Sequence, residues 1–291
     1  MILNKKVISS ILVVLFFANI ISWVVVFDLA RTKFLEVNFF DVGQGDAILV
    51  QRGSQQVLID GGPSPQAIGL RLGEAMPFWD RTIELMVLTH PSADHVAGLV
   101  EALNRYRVRQ VLYPDLDFSS DIYDQWLDTV AEKGIAGTAA RAGQQIDLGG
   151  GAVIKVLNPP HPPLAGTESD VDNNGLVLRL SLGQASFLLT ADIMQEGELE
   201  LSTRRADLDS TVLKVAHHGS ATSTTPRFLA VASPQLAVIS VGADNKFGHP
   251  SPEVMARLEA ALGAENIYRT DQQGTIEFIT DGQRLWVRTG R

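Results

Sequence analysis

The stretch LTHPSADHVAGL, from Leu88 to Leu99, decides the fold. Its start closes a short apolar run ending at Leu88, the pattern of a buried strand. Pro91-Ser92 then interrupts the chain, and helical spacing predicts a helix over 93–106. A strand therefore delivers His90 to its end, and the first turn of a helix carries Asp94 and His95. Imidazole and carboxylate donors packed this closely suit Zn²⁺, Mn²⁺ or Fe²⁺. An Asp in a first turn also serves the helix dipole, but that role leaves two neighbouring histidines unexplained.

Working outward, short runs rich in β-branched residues recur at 37–40, 47–51, 56–59, 85–88, 111–113, 153–157, 176–180, 185–189, 212–215, 237–240, 275–279 and 284–287. Helical patterns fall at 119–132, 194–202, 225–231 and 252–262. This mixture of hairpin-spaced strands and strand–helix alternation predicts an α/β fold with two mixed sheets and helices outside. The Pro-rich stretch 158–163 is expected to be a surface loop.

The chain holds 6 histidines, and most lie where a strand meets a loop. Asp192, in Thr190-Ala191-Asp192, follows the 185–189 strand. It could bridge two metals or cap the helix that follows. His217 and His218, in AHHGS, follow the 212–215 strand. Adjacent side chains point apart, so one can ligate while the other meets substrate. His249 sits between Gly248 and Pro250. His161 is expected to be a solvated loop residue. Asp41-Val42-Gly43-Gln44-Gly45-Asp46 is a Gly-rich turn, but no helix follows to make a phosphate cradle. Asp60 ends a strand in LIDGG, where it could hold a ligand imidazole through its second nitrogen.

The remaining composition limits function. The 24 Lys+Arg against 33 Asp+Glu give a net charge of −9, unfavourable for non-specific nucleic-acid binding. Cysteine is absent, which excludes disulfides, thiolate nucleophiles and Cys-ligated metals. Residues 7–27 are almost unbroken apolar sequence, preceded by Lys5 and Lys6. At ~1.5 Å per residue such a run spans about 30 Å, the thickness of a bilayer core. Residues 1–30 are therefore expected to be an uncleaved membrane anchor with the remainder outside. A cleaved signal peptide, giving a secreted product, is the alternative, and a buried core helix the third reading. Residues 35–291 are expected to form one domain.

Taken in order, DVGQGDA, LIDGG, LTHPSADHVAGL, DNNGLVLRL, LLTAD, LKVAHHGS, NKFGHP and YRTDQQG resemble the metallo-β-lactamase superfamily. More narrowly they resemble the extracytoplasmic C-terminal domain of ComEC-type competence proteins. The resemblance implies a four-layer αβ/βα sandwich after one transmembrane helix. It implies a metal-dependent nuclease or phosphodiesterase acting on DNA during uptake, with competence-machinery partners. The family's multi-helix channel has no counterpart in this sequence, so a stand-alone relative is expected. Position by position, His90, Asp94 and His95 fall on the family's metal motif and Asp192 on its bridging carboxylate. His217 or His218 supplies a further ligand. Asp41, Gln44, Asp46, Asp60, Ser92, Asn174, Ser220 and Asn245 fall in the motifs around the metals or the substrate. Asp192 or Asp94 is expected to orient water, and His218 or His249 to protonate the leaving oxygen.

Three positions depart from the pattern. Ser92 replaces a usual Asp or His, Asn174 stands where the wider superfamily has His, and Ala191 replaces a usual Gly. Counting donors predicts one firm and one weaker site, for Mn²⁺ or Zn²⁺. Arg105, Arg107, Arg109, Arg204 and Arg205 could form a basic patch for DNA or be solvated faces. A hydrolase of a small ester, lactone or phosphodiester, and a non-catalytic binding relative, are the competing readings.

Overall fold

Residues 4–31 and 34–291 are described by the computed structural model. Many of the strands are buried on both faces, so they are continuously apolar rather than alternating. In β2 (Ile48–Arg52) and β3 (Gln55–Ile59), Ile48, Val50, Val57 and Ile59 pack into a central cluster, whereas Leu49 and Leu58 join a separate outer one. In β12 (Ala185–Leu189), Phe187 and Leu189 reach the same central cluster and Leu188 turns away from it.

Among the described residues the first sheet has eight strands. Their spatial order is β17 (Leu285–Thr289), β16 (Ile276–Thr280), β1 (Leu35–Phe39), β2, β3, β5 (Leu85–Val87), β7 (Gln110–Pro114) and β8 (Ala136–Ala140). The second has seven, ordered β15 (Ile267–Arg269), β14 (Leu236–Ile239), β13 (Val212–Lys214), β12, β11 (Val177–Leu182), β10 (Ala152–Asn158) and β9 (Gln145–Gly149). Helices α2 (Pro65–Ala75), α3 (Ala93–Arg105) and α4 (Asp121–Glu132) cover the outer face of the first. Helices α6 (Gln195–Thr203), α7 (Pro226–Ala232) and α8 (Pro252–Leu262) cover the second. The result is the expected αβ/βα sandwich.

The parallel strands position the site. β3, β5, β7 and β8 run parallel, as do β12 through β15. Each pair is linked through a crossover helix, so the carboxyl ends of both parallel halves carry loops, the usual place for ligands in such sheets. Asp60, His90, Asp192 and His218 all follow these ends.

Some elements escaped the sequence reading. β8, β9 and β15 lie at or near sheet edges, and β8 is the small-residue segment Ala-Gly-Thr-Ala-Ala. Helix α2 has a capping Ser64 and Pro65 at its start, but Gly69 and Gly73 dilute its helical signal. The 158–163 stretch is only partly a surface loop. Asn158 is fully buried and donates to the Asn173 and Gly175 carbonyls at 2.9 and 2.8 Å, whereas His161 is exposed as expected.

Helix α1 (Lys5–Arg31) is solvent-exposed over residues 4–24, so it is not a core helix. Its Lys5–Val24 part is long and apolar enough to cross a membrane.

Candidate metal centre

Asp60 organises the first half of the site. It lies at φ 58°, a left-handed conformation that non-glycine residues adopt at some cost. Its Oδ1 accepts the Thr89 backbone N–H at 2.8 Å, and its Oδ2 accepts the Thr89 hydroxyl at 2.7 Å. The same Oδ2 stands 2.8 Å from His95 Nδ1. Helix α3 is pressed against the following loop, with Gly61 N–H donating to the His95 carbonyl at 2.8 Å and Gly98 N–H to the Gly62 carbonyl at 2.9 Å. A Cβ on Gly98 would stand 1.9 Å from the Gly61 oxygen, so only glycine permits this approach. His95 therefore enters the site with Nδ1 engaged and Nε2 directed inward.

The second sheet supplies the other half. Ala191 (φ 48°), His217 (φ 50°) and His218 (φ 54°) are left-handed. The first is a conformation that glycine, the residue the resemblance leads one to expect before Asp192, adopts freely. His218 Nδ1 lies 2.9 Å from the Ser240 carbonyl, which can only accept, so Nδ1 carries the hydrogen and Nε2 is bare in the neutral ring. His218 Nε2 stands 3.3 Å from both Asp94 Oδ2 and Asp192 Oδ2, and His95 Nε2 stands 3.3 Å from Asp192 Oδ2.

Asp94, His95, Asp192 and His218 thus bring their donor atoms within 4.8 Å of one another. His95 Nε2 and His218 Nε2 are buried without a hydrogen-bond partner. Two buried imidazole nitrogens converging on two carboxylates fit a divalent ion.

His218, not His217, occupies this cluster. The His217 ring lies 6.3 Å from that of His218 and 5.8 Å from that of His249, towards the rim. His90 is beside it, its ring 4.0 Å from that of His95 and its Nε2 4.0 Å from Asp192 Oδ2. Asp192 does not cap α6, because the Asn173 side chain accepts the Met194 and Gly197 N–H groups at 2.9 and 3.0 Å.

Sequence reasoning missed Lys214. It is fully buried in β13, and its ammonium donates to the Ala191 carbonyl at 2.9 Å, with Asp192 Oδ1 at 3.5 Å. It also pairs closely with Asp46, whose Oδ1 lies 3.6 Å from His218 Nδ1. The only signal in the sequence was a lysine inside an apolar strand run. Asp172, also missed, has Oδ1 3.5 Å from His90 Nε2.

The other expected residues fall into two groups. Gln44 and Asn245 brace the edge: Gln44 Oε1 accepts the Gly242 N–H at 3.1 Å, and the Asn245 amide donates to the Gly242 and His249 carbonyls, both at 2.8 Å. Asp41, Asn174 and Ser220 are engaged away from the cluster. Asp41 pairs with Arg291 at 3.2 Å, Asn174 ties Leu164 and Asp170, and the Ser220 hydroxyl lies 2.9 Å from that of Thr222. Ser92 is the N-cap of α3 but its hydroxyl makes no capping bond.

The electrostatics follow from burial against pairing. Burial opposes the charge on Asp192, but His218, His95 and Lys214 outweigh it and hold the carboxyl well below its usual range. Burial likewise opposes the His95 imidazolium, yet Asp192, Asp60 and Asp94 raise its pKa well above the ordinary value. His90 is lowered by burial and by His95. His249 is lowered by burial and by His217 and His218. Removing water and adding carboxylates makes the centre of this cluster a place that demands positive charge.

Arg105 does not line it. Helix α3 begins at the site, and its 13 residues carry Arg105 about 20 Å away. Arg105, Arg109 and Arg204 pair with Glu101, Glu84 and Glu200.

This chain belongs to the metallo-β-lactamase superfamily, whose family model matches residues 40–243. Among curated proteins it is similar to ComE operon protein 3 of Bacillus subtilis, 30% identical over 84% of this chain and 33% of that one. It is also similar to Recombination protein 2 of Haemophilus influenzae (27%, covering 88% and 30%) and Competence protein ComA of Neisseria gonorrhoeae (28%, covering 83% and 32%). The chain spans about a third of the length of these relatives, all ComEC-type competence proteins. Among solved structures it resembles the metallo-β-lactamase fold protein YhfI of Bacillus subtilis, with TM-score 0.56 and 13% identity over 87% of this chain and all of that one. CmlA, a diiron β-hydroxylase of Streptomyces venezuelae, gives 0.52 and 12%, over 81% of this chain and 52% of that one.

Proposed function

We propose that this chain is a membrane-anchored metal-dependent phosphodiesterase that cleaves DNA outside the cytoplasm. The observation that carries the reading is the pair of buried, unpartnered Nε2 atoms of His95 and His218 converging on Asp94 and Asp192. The likeness to competence proteins supports DNA as the substrate, and Lys5 and Lys6 ahead of an exposed apolar helix support anchoring with the remainder outside.

Asp94, His95, Asp192 and His218 would hold a divalent ion, Mn²⁺ or Zn²⁺. When bound, such an ion supplies Lewis acidity and lowers the pKa of water from 15.7 towards about 7. The residues of the chain do the rest. Lys214 occupies Asp192 Oδ1, which leaves Oδ2 to face both imidazoles. The Asp94 side chain, 34% exposed, faces the opening and can accept a hydrogen bond from the attacking water. Both nitrogens of His218 are directed at Ser240 and at the carboxylates, so it is not free to serve as the acid. His249 stands at the rim with its pKa lowered, a neutral imidazole suited to donating a hydrogen bond to phosphate. Phe247, exposed beside His249 with ring centroids 5.7 Å apart, offers aromatic surface for a nucleobase, and the neighbouring Lys246 ammonium offers a charge for phosphate.

The net charge of −9 favours a second reading, a small phosphodiester or ester as substrate. The two separate in one assay. Metal-loaded chain is offered single-stranded DNA, double-stranded DNA and a small aryl phosphodiester at several salt concentrations. Cleavage of DNA that weakens steeply with salt supports the first reading. Turnover of the small diester alone supports the second.

A further inference from the structure

We infer that Asp172 is a metal ligand, completing with His90 and Asp192 a second ion site in the position that Ser92 would otherwise be expected to serve. The inference rests on the metal-dependent reading above.

The segment that carries Asp172 is tied directly to the His90 strand end, because Leu176 N–H donates to the Thr89 carbonyl at 2.9 Å. Four neighbouring polar side chains, Ser169, Asp170, Asn173 and Asn174, are committed to holding loops. Ser169 caps the Asp172 N–H at 3.2 Å. Asp170 accepts from Gly166 and Thr167 at 3.0 and 2.8 Å. Asn173 caps α6, and Asn174 bridges Leu164. Asp172 instead faces His90, with Oδ1 3.5 Å from Nε2.

The hydrogen-bond network says which His90 nitrogen carries the proton. The Thr89 hydroxyl donates to Asp60 Oδ2, 2.7 Å away. That hydroxyl has no second hydrogen, so it accepts from His90 Nδ1 at 3.1 Å. Nε2 of neutral His90 is therefore bare. The bare nitrogen thus faces two carboxylate oxygens, Asp172 Oδ1 at 3.5 Å and Asp192 Oδ2 at 4.0 Å. Those separations are long for a hydrogen bond. The 3.5 Å separation from Asp172 is that of two donors on one ion, because bonds of ~2.0–2.2 Å set neighbouring donors roughly 3–3.5 Å apart, and Asp192 has about half an ångström to close. Asp192 Oδ2 faces His90 as well as His95 and His218, so Asp192 would serve both sites.

The test is metal count. The full chain in detergent, its Asp172→Ala and Asp172→Asn variants, and a His90→Ala variant are stripped, equilibrated with Mn²⁺, dialysed and analysed for manganese per chain. Circular dichroism of the stripped proteins verifies folding, and Asp172→Asn keeps the side chain's shape should the alanine variant misfold. The expected result is two ions in the wild type and one in each variant. Two ions retained in both Asp172 variants overturn the inference and leave the metal-dependent reading intact. A single ion in wild type and variants alike overturns it in the same way. No manganese in the wild type overturns both.

Discussion

Asp60 Oδ2 lies 2.8 Å from Nδ1 of His95, and this one contact fixes which nitrogen of the ring faces the centre of the site. Through the Thr89 hydroxyl the same carboxylate also orients His90. Partners that orient a ligand imidazole typically control metal affinity by roughly 10–100-fold. Asp60→Asn is expected to weaken Mn²⁺ binding by a factor in that range, although Asp60 need not touch the ion. Titration calorimetry on the two proteins checks it, and equal affinities would remove Asp60 from the account.

Lys214 is a buried cation between Asp46 and Asp192. Burial lowers its pKa, but those two carboxylates outweigh burial and raise it. Lys214→Met removes the cation from between two buried carboxylates, at a cost of about 3–5 kcal/mol. Urea unfolding of metal-stripped protein is expected to show that loss. Added metal is expected to recover part of it, because a divalent ion restores positive charge beside Asp192.

The metal-stripped protein is expected to lose stability in alkali. Burial lowers the His218 pKa, but Asp192, Asp94 and Asp46 outweigh it, and the folded value is pushed up to about 10. An unfolded imidazole titrates near ~6.5. A raised folded pKa contributes stability that is fully present below about pH 6.5 and is lost as pH rises through about 10. The Tm of stripped protein is therefore expected to fall across that window. With metal bound the fall is expected to vanish, since ligation needs the bare imidazole. A flat Tm in stripped protein would contradict the charge arrangement at His218.

Phe247 tests the substrate. Base stacking on an aromatic side chain is worth about 1–3 kcal/mol, so Phe247→Ala is expected to raise KM for single-stranded DNA by on the order of tenfold. The loss on a small aryl phosphodiester is expected to be much less. Equal losses on both would point to a disturbed His249 loop instead.

Much of this was legible because strands buried on both faces are continuous apolar runs and each delivers a chemical residue at its end. His90, and Asp94 and His95 in the helix turn after it, stand out as candidate donors from that pattern, whereas Asp192 could equally cap a helix until the resemblance singled it out. The edge strands β8, β9 and β15 could not, since edge strands need no apolar signature, and β8 is largely alanine and glycine. His217 and His218 were indistinguishable in sequence because their separation depends on two consecutive left-handed residues. Lys214 was hidden for a different reason: its two carboxylate partners lie far along the chain in other elements. Asp172 stood two residues from Asn174, where the resemblance drew attention instead, and only the three-dimensional path of the loop turns the former to His90.

The central claim is metal-dependent phosphodiester cleavage at the Asp94/His95/Asp192/His218 cluster. The most direct measurement compares DNA cleavage by chelator-stripped chain, by the same chain reloaded with Mn²⁺, and by reloaded Asp192→Ala. Cleavage by the reloaded wild type alone is the predicted result. Equal cleavage by stripped protein or by Asp192→Ala, or a fully loaded wild type that cuts neither DNA nor a small phosphodiester, would contradict it.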